Sequence, residues 1–65
     1  MNTAETVRAL DAKHTYFLQN RRAVMTVSNN KEPVKGEIRG YLRGLANSGV
    51  ITELQFRQLL TYYTL

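Results

Sequence analysis

The sequence predicts an all-α fold, a small domain of three helices with a C-terminal helical hairpin. Apolar residues recur at intervals of three and four in three stretches of the chain, and this spacing gathers side chains on one face of an α-helix. Polar stretches containing Ser, Asn, Gly or Pro separate them, which is a composition typical of turns. We therefore predict helices near residues 4–27, 33–46 and 53–63, the last two as the hairpin, in one domain that spans residues 1–65.

The first predicted helix carries one apolar stripe. Thr3 is a candidate N-cap, because its hydroxyl can accept a hydrogen bond from a free amide of the first turn. The members of the stripe share one face at about 100° per residue: Val7, Leu10, His14, Phe17 and Leu18. Residues 24–27 either continue the helix or, because most of them are β-branched, form a short extended segment. We expect helix as far as Val27.

His14 lies in the middle of this stripe, one turn after Asp11. A catalytic pair would need a nucleophile or a substrate pocket nearby, and the sequence indicates neither. We expect a partly buried packing residue whose ring nitrogen bonds Asp11 or the backbone.

The second predicted helix begins at Pro33, which suits a first helical turn because its missing N–H is not needed there. Its apolar residues form a stripe that faces the core: Val34, Ile38, Tyr41, Leu42 and Leu45. Gly49 follows the helix and suits a left-handed terminating position.

The third predicted helix has a clear start signal. Thr52 and Gln55 match the T-x-x-Q pattern of a capping box, in which each side chain bonds the backbone of the other residue. Ile51 and Phe56 are placed to pack across that cap as a hydrophobic staple. Phe56 then begins the apolar face of this helix.

The stretch from Leu42 to Leu60, "LRGLANSGVITELQFRQLL", resembles the short helical-hairpin family called SHOCT. The matching positions are Gly49, Ile51, Thr52, Phe56, Leu59 and Leu60. The lysines usual in the last helix of that family are absent, and Val50 and Leu54 differ from its commonest residues. The resemblance implies a packing or oligomerisation module and supplies no catalytic residue.

Three glycines recur at every fourth position of the second helix, each directly after a basic residue. We call these six residues the glycine–arginine face: Lys35, Gly36, Arg39, Gly40, Arg43 and Gly44. On a helical wheel the glycines lie away from the apolar stripe, with the basic residues along one flank. An interior glycine destabilises a helix by about 1 kcal/mol relative to alanine, so a close approach by another backbone is one explanation for their presence.

Three interpretations of this face stay open. Gly36 and Gly44 lie near the ends of the predicted helix, so only Gly40 is interior in the first interpretation and no function is required. In the second the face is a helix–helix interface. In the third it is a nucleic-acid surface, which the net charge of +4 favours.

A helix-turn-helix interpretation of the C-terminal half is the alternative for function. The second helix of that motif enters the major groove, and further nucleic-acid contacts would come from Arg21, Arg22, Gln55 and Arg57. Glu53 would repel phosphate, and the turn is a residue longer than usual for the motif.

Composition excludes several classes of protein. The chain has no cysteine, and its single histidine and five acids show no metal-ligand spacing. We expect no catalytic, cofactor-binding or metal-binding residues, no cofactor and no small-molecule substrate. The chain starts with polar residues and has no run of the ~20 apolar residues that a membrane span needs, so we expect a cytoplasmic protein with no membrane partner.

The predicted function is therefore a small non-enzymatic interaction protein. It self-associates as a homo-oligomer or binds another protein through the glycine–arginine face, and the alternative is a DNA- or RNA-binding regulator. Size and charge also suit an accessory protein of a phage or mobile element.

Overall fold

The computed structural model describes residues 2–65, and this part of the chain contains four α-helices. They are α1 (Thr3–Ala9), α2 (Ala12–Val27), α3 (Glu32–Asn47) and α4 (Glu53–Thr64). No β-strand occurs within residues 2–65. The predicted all-α class is confirmed, and the helix does extend to Val27.

The predicted first helix is divided into two helices at Leu10 and Asp11. Leu10 has extended backbone angles, and its N–H bonds the carbonyls of Thr6 and Val7 to end α1. The carboxylate of Asp11 accepts from the N–H of Lys13 at 3.2 Å, so Asp11 is the N-cap of a new helix. The prediction of one helix over residues 4–27 missed this break, because the apolar spacing continues across a residue type that favours N-caps.

The N-cap of α1 also differs from the prediction. Asn2 fills this position, and its side-chain oxygen accepts from the N–H of Glu5 at 2.9 Å. Thr3 is instead the first helical residue. Asn is at least as good an N-cap as Thr, and here it stands one residue earlier.

The core is formed by apolar side chains of α2, α3, α4 and the turn before α4. The buried residues of the core are Leu18, Met25, Val34, Ile38, Leu42, Leu45, Ile51, Phe56, Leu59 and Tyr63. Helix α1 covers one side of this core through buried Thr6 and partly buried Val7. The apolar stripes predicted on α2, α3 and α4 therefore all face inward.

The connection between α3 and α4 follows the predicted chemistry. Gly49 has a φ of +82°, and the N–H of Val50 bonds the carbonyl of Leu45 at 2.9 Å. At the start of α4 the hydroxyl of Thr52 accepts from the N–H of Gln55 at 3.1 Å, and the Gln55 side chain accepts from the N–H of Thr52 at 2.8 Å. Both halves of the predicted capping box are present.

Two contacts on α2 fix the relative direction of α3 and α4. Arg21 donates to Glu37 at 3.3 Å, and the next residue, Arg22, lies over the ring of Tyr62 at 5.2 Å. Glu37 is in the first half of α3, whereas Tyr62 is near the end of α4. The two helices therefore run antiparallel, as the predicted hairpin requires.

Candidate functional site

The three glycines of α3 form an open strip on the outside of the domain. Gly36, Gly40 and Gly44 are all exposed. A Cβ atom built on any of them would meet no side chain and no non-neighbouring backbone atom of the described chain within 4 Å. Close packing within the domain therefore does not explain these glycines.

The bounds of α3 decide how many of the glycines are interior. The helix spans Glu32–Asn47, so Gly36 lies beyond its first turn and Gly40 lies at its centre. Gly44 begins the last turn, where its carbonyl still accepts from the N–H of Ser48 at 3.1 Å. At least two glycines thus carry the full helix penalty of about 1 kcal/mol each, and the interpretation in which only Gly40 is interior does not fit these bounds.

The strip has a basic edge and an acidic edge. Lys35 and Arg39 lie on the flank toward α4, and Lys35 is 4.0 Å from the carboxylate of Glu32. Arg39 is exposed and forms no hydrogen bond or ion pair with another residue of the range 2–65. Glu37 borders the strip on the opposite flank, where Arg21 holds it.

Arg43 belongs to the glycine–arginine face in sequence, but its guanidinium contacts two residues of α4. It donates to both carboxylate oxygens of Glu53, at 2.9 and 3.1 Å, and lies 3.9 Å from the centre of the Phe56 ring. The hydrogen bond from Arg43 is the main reason that the pKa of the Glu53 carboxyl is lowered, and the positive charge of Arg57 lowers this pKa further. The same hydrogen bond raises the pKa of Arg43. Arg43 therefore links the two helices of the hairpin.

The four residues predicted as nucleic-acid contacts do not lie together in the structure. Arg21 is bound by Glu37 and by Asn20 at 2.8 Å, and Arg22 covers Tyr62. Gln55 serves the capping box at the opposite end of α4.

Of these four residues, only Arg57 is exposed and without an ion pair or hydrogen bond to another residue of the range 2–65. The connection over residues 48–52 has five residues, whereas a helix-turn-helix turn has about three or four.

His14 forms a contact that the sequence did not predict. Its Nδ1 atom lies 2.6 Å from the hydroxyl of Tyr41, whose ring stacks on Phe17 with centroids 4.2 Å apart. The expected bond to Asp11 does not form, because that carboxylate caps α2. Because 27 positions separate His14 from Tyr41, helical periodicity could not predict this contact.

A cavity of about 290 Å³ lies where the corner between α1 and α2 meets the start of α4. Leu10, Asp11 and His14 line one side, and Ile51 and Gln55 line the other. Within residues 2–65, no group of three or more His, Cys, Asp or Glu side chains is placed to hold a metal ion. None of the helices in that range is both long and apolar enough to cross a bilayer.

Comparisons of the chain with protein-family models, with curated proteins and with solved structures gave no match.

Proposed function

We propose that this chain is a small non-enzymatic interaction protein that binds another macromolecule, and first of all a second copy of itself, through the glycine strip of α3. One observation carries the proposal. The glycines destabilise α3, nothing inside the domain needs them, and they are gathered on one exposed face. A second helix lying on this face explains why glycine occurs at these positions.

The strip suits a helix partner because it removes side chains from the contact. Packed helices normally keep their axes about 8–10 Å apart, at a distance set by the side chains between them. Small residues at intervals of four let two backbones approach more closely. The hairpin resemblance to a packing and oligomerisation module supports the same function.

The charges beside the strip favour one orientation of a symmetric pair. In an antiparallel two-fold pair, like edges face each other, so Arg39 of one copy would lie near Arg39 of the other. In a parallel two-fold pair, the basic edge of each copy faces the Glu37 edge of its partner. The parallel pair avoids the repulsion, and we therefore propose it.

Because the chain has no cysteine, single-cysteine variants can test this orientation directly. Gly36 and Gly44 are eight residues apart, or about 12 Å along a helix. In a parallel pair Gly36→Cys and Gly44→Cys each form a homodimeric disulfide. In an antiparallel pair centred on Gly40 neither does, since Cα atoms more than about 7 Å apart cannot be bridged, while a mixture of the two variants cross-links.

Exposed Gln19 on α2 supplies the control, because Gln19→Cys should form no disulfide in either arrangement. If Gln19→Cys cross-links as fast as Gly36→Cys and Gly44→Cys, the proposed interface is wrong.

Binding of DNA or RNA is the second candidate function. The net charge of +4 and the exposed, unpaired Arg39 and Arg57 favour it. Its test is a titration of DNA at increasing salt, because affinity for nucleic acid falls steeply as salt rises. The absence of binding even at low salt would eliminate this candidate.

We propose a cytoplasmic site of action, since a chain without cysteine suits a compartment in which thiols stay reduced.

A further inference from the structure

Arg39 and Arg57 belong to a ladder of charged residues along the α3–α4 groove. Arg39 lies one turn from Arg43 on α3, and Arg57 lies one turn from Glu53 on α4. Side chains four residues apart on a helix are neighbours on the same face, with Cβ atoms about 5–6 Å apart. The Arg43–Glu53 ion pair therefore marks one rung of the ladder.

One turn along from this ion pair, α3 and α4 each carry an arginine. At one end the Arg43–Glu53 pair joins α3 to α4, and at the other Glu37 and Tyr62 lie at the same level, because adjacent residues of α2 hold them. Arg39 and Arg57 lie between these two contacts along their helices, so the antiparallel register places them at neighbouring levels of α3 and α4. Neither has an ion pair or hydrogen bond within the part of the chain that the structure describes.

The Arg43–Glu53 rung shows how a carboxylate binds in this groove. Both oxygens of Glu53 accept from one guanidinium, at 2.9 and 3.1 Å. Such two-point contacts are among the strongest hydrogen bonds to a carboxylate. One turn further along α4, the residue that corresponds to Glu53 is Arg57, which is an arginine and not an acid.

We propose that Arg39 and Arg57 form a carboxylate-binding site that takes an Asp or Glu side chain from an acidic segment of a partner protein. This inference rests on the proposed function, since it names the chemistry of a partner at the edge of the same face. A second copy of this chain is a poor source of the acid, because its Glu37, which faces the basic edge in the parallel pair, is already held by Arg21. Four of its five carboxylates already have partners: Asp11, Glu32, Glu37 and Glu53.

The surroundings of the site favour a peptide carboxylate over nucleic acid. Glu53 lies one turn away on α4 and Glu37 borders the glycine strip on its other flank. A phosphate chain following the groove would meet these negative charges, whereas a single carboxylate need contact only the two arginines.

The test uses the full chain and a fluorescently labelled peptide of ten glutamates as the probe. Binding is measured by fluorescence anisotropy for the wild type, for Arg39→Gln with Arg57→Gln, and for a control with the same loss of charge, Arg8→Gln with Lys13→Gln. Arg8 and Lys13 are exposed on α1 and at the start of α2. A DNA duplex of similar charge is titrated in parallel.

We expect the first double variant to weaken peptide binding about tenfold or more, because hydrogen bonds to charged groups are lost, and the control to change it less than about twofold. Equal losses in both variants would show that only the overall charge matters and would overturn the site. Tighter binding of the DNA duplex than of the peptide would overturn it in favour of nucleic acid.

Sedimentation of the same double variant separates this inference from the function on which it rests. If peptide binding is lost while self-association persists, both stand. If the peptide never binds and self-association persists, only the carboxylate site fails. If the wild type does not self-associate but binds the peptide in the expected way, the carboxylate site stands without the homodimer.

Discussion

Replacement of the interior glycines of α3 should move stability and self-association in opposite directions. Gly36→Ala with Gly40→Ala adds two methyl groups that meet no other part of the described chain. Each exchange should stabilise the isolated domain by about 1 kcal/mol, or about 2 kcal/mol together, since the sites lie one turn apart without contact. For a domain of this size that raises the melting temperature by about 8–16 °C.

Far-ultraviolet circular dichroism during thermal unfolding measures this change. The protein must be dilute, because self-association stabilises the folded state by mass action and would mask the gain. At high concentration the same variant should associate more weakly than the wild type, because the added methyl groups separate the two α3 helices.

Gly49→Ala provides the matched control. Gly49 also has open space around its Cα, but its φ of +82° is a conformation that disfavours alanine by about 1–2 kcal/mol. This exchange should therefore lower the melting temperature. If the α3 variant were also destabilised, its glycines would be packed inside the structure and the proposed interface would be wrong.

Three further predictions concern side chains away from the strip. Tyr63 is 1 % exposed and its hydroxyl has no partner among residues 2–65, so Tyr63→Phe should be neutral or stabilising by about 1 kcal/mol in urea unfolding. Tyr41→Phe loses the hydrogen bond to His14 and should destabilise the fold by about 1 kcal/mol, and an equal loss in Tyr63→Phe would contradict this prediction. Because the pKa of Glu53 is lowered from 4.5 by the hydrogen bond from Arg43, that pair stabilises the fold above pH 4.5 and its contribution is lost as the pH falls through the folded-state pKa. Acid titration of unfolding should show wild type losing stability relative to Glu53→Gln, and parallel curves would refute the assignment. Asp11→Ala should cost about 1 kcal/mol as a lost N-cap, measured by urea unfolding, and no change would place the start of α2 elsewhere.

Local signals in the sequence predicted most of the fold. The capping box at Thr52 and Gln55, and the left-handed position of Gly49, depend on residues within a few positions of each other. The core faces of α3 and α4 follow from helical periodicity for the same reason. The break at Asp11 was missed because periodicity cannot separate one helix from two that share an apolar face.

The candidate site depended on contacts that sequence patterns do not encode. Arg43 appeared to belong to the exposed basic flank, but the hairpin brings Glu53 and Phe56 against it. Arg39 and Arg57 could be set opposite each other only after the register of α3 and α4 was known. The outward direction of the glycine strip was predictable, because it follows from the position of the apolar stripe on a single helix.

A concentration series in sedimentation velocity, run on the wild type and on Gly40→Leu, tests the central claim most directly. The wild type should pass from monomer to dimer as its concentration rises. Gly40→Leu should remain monomeric and stay folded, because the leucine side chain would occupy the open face on which the second helix lies. A wild type that is monomeric at every concentration, or a Gly40→Leu variant that dimerises as well as the wild type, would contradict the claim.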